Sequence, residues 1–564
     1  MSEAPTAIAE KPQSSPAARI GWAILIVATL YVCYFSHLGA IGFVGPDEPR
    51  YAWIARDMAE TGDWVTPRLY GKPWFEKPPL FYWGAALSFK LFGVSEAAAR
   101  LPSAISALLA TLALAWLALR LYGAETARWL LLLLPTTVGM IGFSHAAATD
   151  MPFSGMLTIA MVCAAVVLGL TRNENSPILP RTPWLALILF GFFLGLAVLA
   201  KGPAGILLTG GTVFFWALFT KRWRDAFRLF HPAAIAAFCL TALPWHILCA
   251  RRNPDFFHIF IIEHNFKRFL TPEFQHIQPF WFYIPVVLVA FLPWTVSLVC
   301  SLLGGSKNLW RTRNIGESSM FFLCWAGFCV AFFTISRSKL PGYVLPAVPA
   351  IGLLLSRDLS RKLQQSLGSL RWICFGIALT FAFMGVLAGV ESEKIPFVTD
   401  MRPAPTVTQF YLVVVLAGIV VGILAVLKRL RVALMLASIV LPAFLAFGTK
   451  DLWQLDEGVS ARPVTLISKA EFHFPEDLLR NAATYKLKRG LVFGLNFYFE
   501  RELPEWVPPG GQRSIIFASP KGSEELRKRL ACWQYLVSPA VEICADGVRA
   551  TSLAGGRPSS GQPK

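Results

Sequence analysis

Apolar residues in this chain come in runs long enough to cross a bilayer, which excludes most soluble folds. The runs lie at 20–40, 98–121, 127–144, 153–171, 183–200, 203–219, 232–250, 280–302, 319–335, 341–356, 371–391, 409–427 and 431–447. About 20 apolar residues in a helix span the hydrocarbon core, and only helices or closed barrels satisfy their own backbone there. The pattern predicts an all-α polytopic membrane protein with thirteen spans. Charged residues make up 15% of the chain, against about 25% in a soluble domain.

A formal charge of +18 raises the question of nucleic acid. The basic residues lie in short loops between spans, where they suit anionic headgroups and phosphate-bearing lipids, and no nucleic-acid partner is expected. With the N-terminal tail inside, the loops on that side carry 18 Lys and Arg in 67 residues, against 16 in 112 on the other. That is the bias expected of cytoplasmic loops. An odd number of spans places residues 450–564 outside.

Residues 1–19 are polar and rich in Pro, Ser and Ala, and read as a disordered cytoplasmic tail before an uncleaved first span. Residues 20–449 form the membrane part. Within it, the first outer loop (41–97) holds two stretches too short or too charged to cross. Residues 48–60, ended near Gly62, and 79–93, with Lys90 inside it, read as helices lying at the interface. Residues 450–554 read as a small α/β domain, with strands at 490–499 and 514–518 and a helix at 522–531; 555–564 is a disordered tail. Eight of ten cysteines fall inside apolar runs and read as packing residues. Cys532 and Cys544 lie in the polar C-terminal region, where an oxidising compartment would allow a disulfide.

With these spans, five polar clusters share one side. Asp47, Glu48, Arg50, Tyr51, Glu76, Lys77 and Tyr82 come from the first loop, and His145, Thr149 and Asp150 from the second. Lys201 follows the fifth span. Glu263, His264, Asn265, Lys267, Arg268 and His276 belong to a long loop, and Arg337, Lys339 and Tyr343 follow the ninth span. Ionisable groups are costly near hydrocarbon and mark function by default. Carboxylates there serve as base or cation ligand, and Lys and Arg suit phosphate oxygens. A substrate half lipid and half phosphate fits both. Each residue also has a plainer use. Asp47 can cap the helix beginning near Pro49, Asp150 can pair with a nearby cation, Lys77 can snorkel to headgroups, and the tyrosines can belong to an aromatic belt.

The first-loop block, with DEPRY, GDWVTP and FEKPPLFYW, resembles the GT-C membrane glycosyltransferases of the protein O-mannosyltransferase-like superfamily. The later pieces TDMPF, AKGPAG, LPWH, EHNFKRF, HIQPFWFY, FLPW and SRSKLPGYVLP follow in the same order, over roughly residues 20–450. The likeness is to the bacterial branch of lipid A aminoarabinose transferases. It implies thirteen spans, two juxtamembrane helices in the first periplasmic loop and a periplasmic C-terminal domain. It implies an undecaprenyl-phosphate sugar donor, 4-amino-4-deoxy-L-arabinose as the sugar, a lipid A phosphate or other glycolipid acceptor, and inversion at the anomeric carbon. The localisation implied is the bacterial inner membrane, with the site facing the periplasm and the transferred sugar masking lipid A charge.

Carried over by position, Asp47 matches the first-loop acid expected to be catalytic, and Asp150 the second-loop acid that positions substrate or an ion. Glu76 and Lys77 match the pair nearest the lipid phosphate, with Glu76 the candidate ligand of a divalent metal. Arg268 and Tyr343 match phosphate-side contacts. Glu48, Arg50, Tyr51, Tyr82, Lys201, His264 and Lys339 are read as further substrate contacts. Transfer of another sugar, such as galacturonic acid or mannose, to a different acceptor stays open. A lipid-linked sugar transporter would need charges near the bilayer midplane and broken helices; here the charges gather at the edge.

Overall fold

The computed structural model describes residues 15–171, 183–267, 277–312, 315–365, 367–389, 407–447, 456, 459–470, 480–507, 515–529, 532–538 and 541–546. Helix α1 (Pro16–Phe35) opens on Ser15, whose hydroxyl accepts from the Ala18 amide at 3.3 Å. Two short helices follow, α2 (Asp47–Thr61) and α3 (Leu80–Phe92). Between them lies a two-stranded ribbon, β1 (Arg68–Leu69) and β2 (Lys72–Pro73). Helix α2 ends on Gly62 at φ 72°, a left-handed position that glycine adopts without strain.

Next come α4 (Glu96–Tyr122), α5 (Ala124–Leu133), α6 (Val138–Ser144), α7 (Asp150–Val167), α8 (Trp184–Lys201) and α9 (Ala204–Thr220). The short α10 (Trp223–Phe227) and α11 (Pro232–Arg252) follow, then a π-helix over His258–Lys267. Helices α12 (Tyr283–Ala290), α13 (Thr295–Thr312), α14 (Glu317–Ile335), α15 (Val348–Gln365), α16 (Leu367–Gly389), α17 (Val407–Val426) and α18 (Leu430–Phe447) complete the apolar part. A 3-10 segment, Pro341–Ala347, leads into α15.

Among the described residues each apolar run read from the sequence overlaps helix, but 127–144 and 280–302 are each broken in two and 341–356 opens on the 3-10 segment. Among the described residues eight helices are long and apolar enough to cross a membrane, or ten if each of two bent pairs is one span. The bent pairs are α5 with α6, at 62°, and α12 with α13, at 118°. Each break carries a proline, Pro135 or Pro293, which cannot donate to the preceding turn. At the first, Thr136 turns its hydroxyl back to the Leu132 carbonyl at 2.7 Å and accepts from the Trp294 indole at 3.0 Å. No charged residue lies in either break, so neither resembles the midplane ion sites of transporters.

The C-terminal part holds α19 (Arg462–Ala470), β3 (Ala482–Tyr485), α20 (Arg489–Tyr498), β4 (Ile515–Ala518), α21 (Pro520–Arg529), β5 (Cys532–Ser538) and β6 (Val541–Asp546). The strands form one sheet in the order β3-β4-β6-β5, with β3 and β4 parallel and the other pairs antiparallel. The strand expected at 490–499 is instead α20. Its buried Leu491, Gly494 and Leu495 recur at helical spacing, one stripe facing the sheet. The strand near 514–518 and the helix near 522–531 match β4 and α21. Cys544 is disulfide-bonded; the side chain of Cys532, its expected partner, lies outside the described side chains.

Candidate active site

Asp47 and Glu48 open α2 and diverge at once, because neighbouring helical residues point roughly 100° apart. Glu48 turns inward. Its carboxylate accepts from Arg100 Nε at 3.0 Å and Nη2 at 2.8 Å, from the Val44 amide at 2.7 Å and from the Ala147 amide at 2.6 Å. Arg100 spends its other donors on the carbonyls of Leu38 (2.7 Å), Ile41 (2.6 Å) and Gly42 (2.8 Å). Both side chains are buried. The carboxylate is saturated, so Glu48 is a clamp joining the first loop, α4 and the second loop. In this structure its contacts are with protein donors.

Asp47 turns outward, and its side chain is 48% exposed. It does not cap α2. Its carboxylate pairs with Arg50, whose Nη1 also reaches Glu76 Oε2 at 3.3 Å and whose Nε donates to the Pro46 carbonyl at 2.9 Å. Arg50 therefore bridges the two acids from opposite ends of the first loop. Its guanidinium lies against Tyr51, Trp74 and Phe493, 5.7, 5.5 and 5.3 Å from the ring centroids. Burial alone would lower its pKa, but Glu76, Tyr51 and Asp47 hold it above the ordinary value. Arg50 is thus a fixed positive charge.

Lys77 Nζ lies 3.6 Å from Glu76 Oε1, and both side chains are nearly buried. Tyr51 and Tyr82 are fully buried beneath this layer, with rings 5.7 Å apart. Burial first, then the carboxylates of Glu76 and Asp47, push both phenols well above their usual range, so both stay neutral. They lie as buried supports in this structure, and among the described residues the Tyr82 hydroxyl has no hydrogen-bond partner.

The second half of the site comes from helix ends. Asp150 begins α7 and Lys201 ends α8, and Lys201 Nζ reaches Asp150 Oδ1 at 2.5 Å. The same ammonium lies 4.8 Å from the Tyr343 ring centroid. A Cβ at position 342 would come within 2.6 Å of Asp150 Oδ1, so any larger residue there would displace the carboxylate. Phe75, next to Glu76, packs in one cluster with Leu199, Trp245, Phe256 and Phe260, which brings the Glu76–Lys77 edge beside the Lys201 end of α8. The first loop, second loop, α8 and 3-10 segment therefore meet at one end of the helices.

Lys339 does not join them. It is buried, and its Nζ donates to the Ser336 carbonyl at 2.7 Å, back into its own loop. His145 is likewise structural, with its ring nitrogens on the carbonyls of Ser36 (3.0 Å) and Ile141 (2.9 Å). Arg268 and His276 lie outside the described residues, and so does the side chain of His264. Glu76 is the residue on which the metal expectation fell. It faces Arg50 and Lys77, and among the described residues no three His, Cys, Asp or Glu gather to hold an ion. Among the described residues that donor set does not fit a protein-held metal.

Contacts that sequence reasoning missed come from the C-terminal part. Arg462 donates to the carbonyls of Gly39 (2.8 Å) and Ala40 (2.5 Å) and pairs with Asp456 (2.6 Å). The Tyr498 hydroxyl donates to Glu96 Oε1 at 2.8 Å and accepts from the Phe43 amide at 3.0 Å. The amphipathic spacing of α20 was the available signal. Tyr498→Phe leaves the Phe43 N–H unpaired, and an expected cost of about 1–3 kcal/mol is checked by thermal unfolding in detergent.

The helical body with acids and cations at one end has a GT-C fold like that of a solved membrane protein. ArnT from Cupriavidus metallidurans, in a structure bound to undecaprenyl phosphate, superposes with a TM-score of 0.75 at 25% identity, covering 95% of this chain and 99% of that one. Its apo structure gives 0.73, covering 96% and 100%. Residues 20–260 match the dolichyl-phosphate-mannose-protein mannosyltransferase family.

Curated relatives include proteins named undecaprenyl phosphate-alpha-4-amino-4-deoxy-L-arabinose arabinosyl transferase. That of Erwinia tasmaniensis is 33% identical over 312 residues, covering 55% of this chain and 54% of the relative. That of Aeromonas salmonicida is 32% identical over 335 residues, covering 59% of each. A second-copy protein of Sodalis glossinidius is 34% identical over 340 residues, covering 60% of this chain and 59% of the relative. The chain spans just over half the length of these relatives.

Proposed function

We propose that this protein transfers 4-amino-4-deoxy-L-arabinose from undecaprenyl phosphate to a lipid A phosphate. The reaction takes place at the periplasmic face of the inner membrane, in a body of thirteen spans, and the added amine masks lipid A charge. One observation carries the reading. A buried Arg50 bridges Asp47 and Glu76, with Lys77 beside them and the Lys201–Asp150 pair adjacent. The names of the relatives, and the undecaprenyl phosphate in the ArnT structure, support the donor.

An acceptor oxygen attacks the anomeric carbon, forming the new C–O bond. The bond from that carbon to the carrier phosphate oxygen breaks, and the carrier leaves with the electron pair. Lys77 and Lys201 stabilise the charge gathering on the leaving phosphate, with Arg268 kept in that role by its sequence position. Asp47 is the exposed acid, held in orientation by Arg50, and it positions the acceptor. Asp150 holds Lys201 in place.

A lipid A phosphate is already ionised at neutral pH and scarcely needs a base. General-base catalysis otherwise contributes about 10²–10⁴ in rate. Asp47→Asn is therefore expected to lower kcat modestly, about tenfold or less. A loss of the full general-base contribution in a folded protein would indicate a hydroxyl acceptor. Mass spectrometry of lipid A from cells with and without the intact gene tests the function itself. Aminoarabinose on the phosphates only when the gene is present is the expected result; unchanged lipid A contradicts it.

A further inference from the structure

The cations of the site are matched one by one to acids. Arg50 faces Asp47 and Glu76, Lys77 faces Glu76, and Lys201 faces Asp150. Two phosphate-bearing substrates bring further negative charge, which a cation at the edge of these pairs would offset. Arg489 is such a group. It is exposed and makes no ion pair among the described residues. Its guanidinium lies 5.8 Å from the centroid of the Phe493 ring, the same ring that lies 5.3 Å from the guanidinium of Arg50.

The backbone fixes this placement. Gly490 packs directly on Gly45, where a Cβ at 490 would come within 2.8 Å of the Gly45 carbonyl carbon and 3.0 Å of its oxygen. Arg489 is thereby held next to the contact with Gly45, which lies two residues before Asp47 in the first loop. Lys201 ends an apolar helix and faces Asp150. Inversion requires the nucleophile and the leaving group on opposite faces of the sugar. With the carrier phosphate against Lys77 and Lys201, the acceptor is left to the exposed Asp47 and its partner Arg50, whose ring neighbour Phe493 also carries Arg489.

We propose that Arg489 binds the anionic headgroup of the acceptor, a phosphate monoester on a glycolipid, with the Phe493 ring setting its position beside Arg50. This rests on the transferase reading above. The test uses the full purified chain in detergent and two probes, lipid A and its chemically dephosphorylated form. Binding is measured without donor, so it does not depend on turnover. Wild type is expected to prefer the phosphorylated probe. Arg489→Glu is expected to weaken that binding by about tenfold or more, the scale of a charged hydrogen bond, and to leave binding of the dephosphorylated probe unchanged.

Phe493→Leu, which keeps apolar bulk but no ring face, is expected to weaken the same binding in the same direction, and Phe493→Tyr to restore it. Lys521→Glu, an equal charge change elsewhere in the C-terminal part, is expected to have no effect. In steady-state assays Arg489→Glu raises the KM for acceptor and not for donor. Equal affinity of Arg489→Glu and wild type for lipid A overturns the proposal. So does a rise in donor KM alone, or indifference of wild type to the phosphates. Preference for the phosphorylated probe, lost in Arg489→Glu, with no sugar transfer by wild type overturns the proposed function while leaving the binding assignment standing.

Discussion

Lys77→Ala is expected to lower kcat by about 10²–10³, the loss typical of removing one preorganised donor from a site of developing charge. The side chain stands 3.6 Å from Glu76, in a connection between a strand and a helix. An unfolding temperature near that of wild type should accompany the lost activity, because Arg50 still faces Glu76. Lys77→Arg restores charge but not the compact ammonium, and a partial recovery is expected. A steady-state assay with lipid-linked sugar, run beside thermal unfolding in detergent, separates the two quantities. Loss of folding together with activity would make Lys77 a structural residue.

Glu48→Ala is expected to act in the opposite way. It removes four accepted hydrogen bonds and strands the buried guanidinium of Arg100 without a counter-charge. Breaking a buried pair by deleting one partner costs about 3–5 kcal/mol, because the other charge stays buried. The variant should express poorly and unfold at lower temperature. Any molecules that fold should bind lipid-linked sugar with nearly wild-type affinity, because the carboxylate is engaged by Arg100 and two backbone amides. The double variant Glu48→Gln with Arg100→Met should recover part of the stability. A stable Glu48→Ala with poor substrate affinity would reinstate the substrate contact that the geometry rejects.

These two neighbouring motifs mark how far the sequence could be read. The two short helices of the first loop were visible because their signals are local. An acidic pair opens α2 and Gly62 closes it; α3 is too short to span and ends on Gly93. The gathering of acids and cations at one end was legible too, since it follows from counting spans. What Asp47 and Glu48 each do was not. They are adjacent and chemically alike, and the difference is which way a helix turns them. The partner that decides Glu48 is Arg100, fifty-two positions away. Arg50 read as one cation among several, whereas its fork is what holds Asp47 and Glu76 together.

The bends in two spans were within reach of the sequence, because Pro135 and Pro293 sit inside those runs. Helix α20 was misread because GLVFGLNFYF carries no charge to mark its outer face, so an amphipathic helix looks like a strand. That error also hid Phe493 and Arg489, which reach the site only because α20 packs on the first loop.

The central claim is a direct displacement at the anomeric carbon, with the carrier phosphate leaving toward Lys77 and Lys201. Purified protein, given undecaprenyl-phosphate-linked aminoarabinose of known anomeric configuration and lipid A, allows the product linkage to be read by NMR. The account requires a glycosyl phosphate of opposite configuration to the donor. A product that retains the donor's configuration, or donor consumed with no sugar on lipid A, would contradict it.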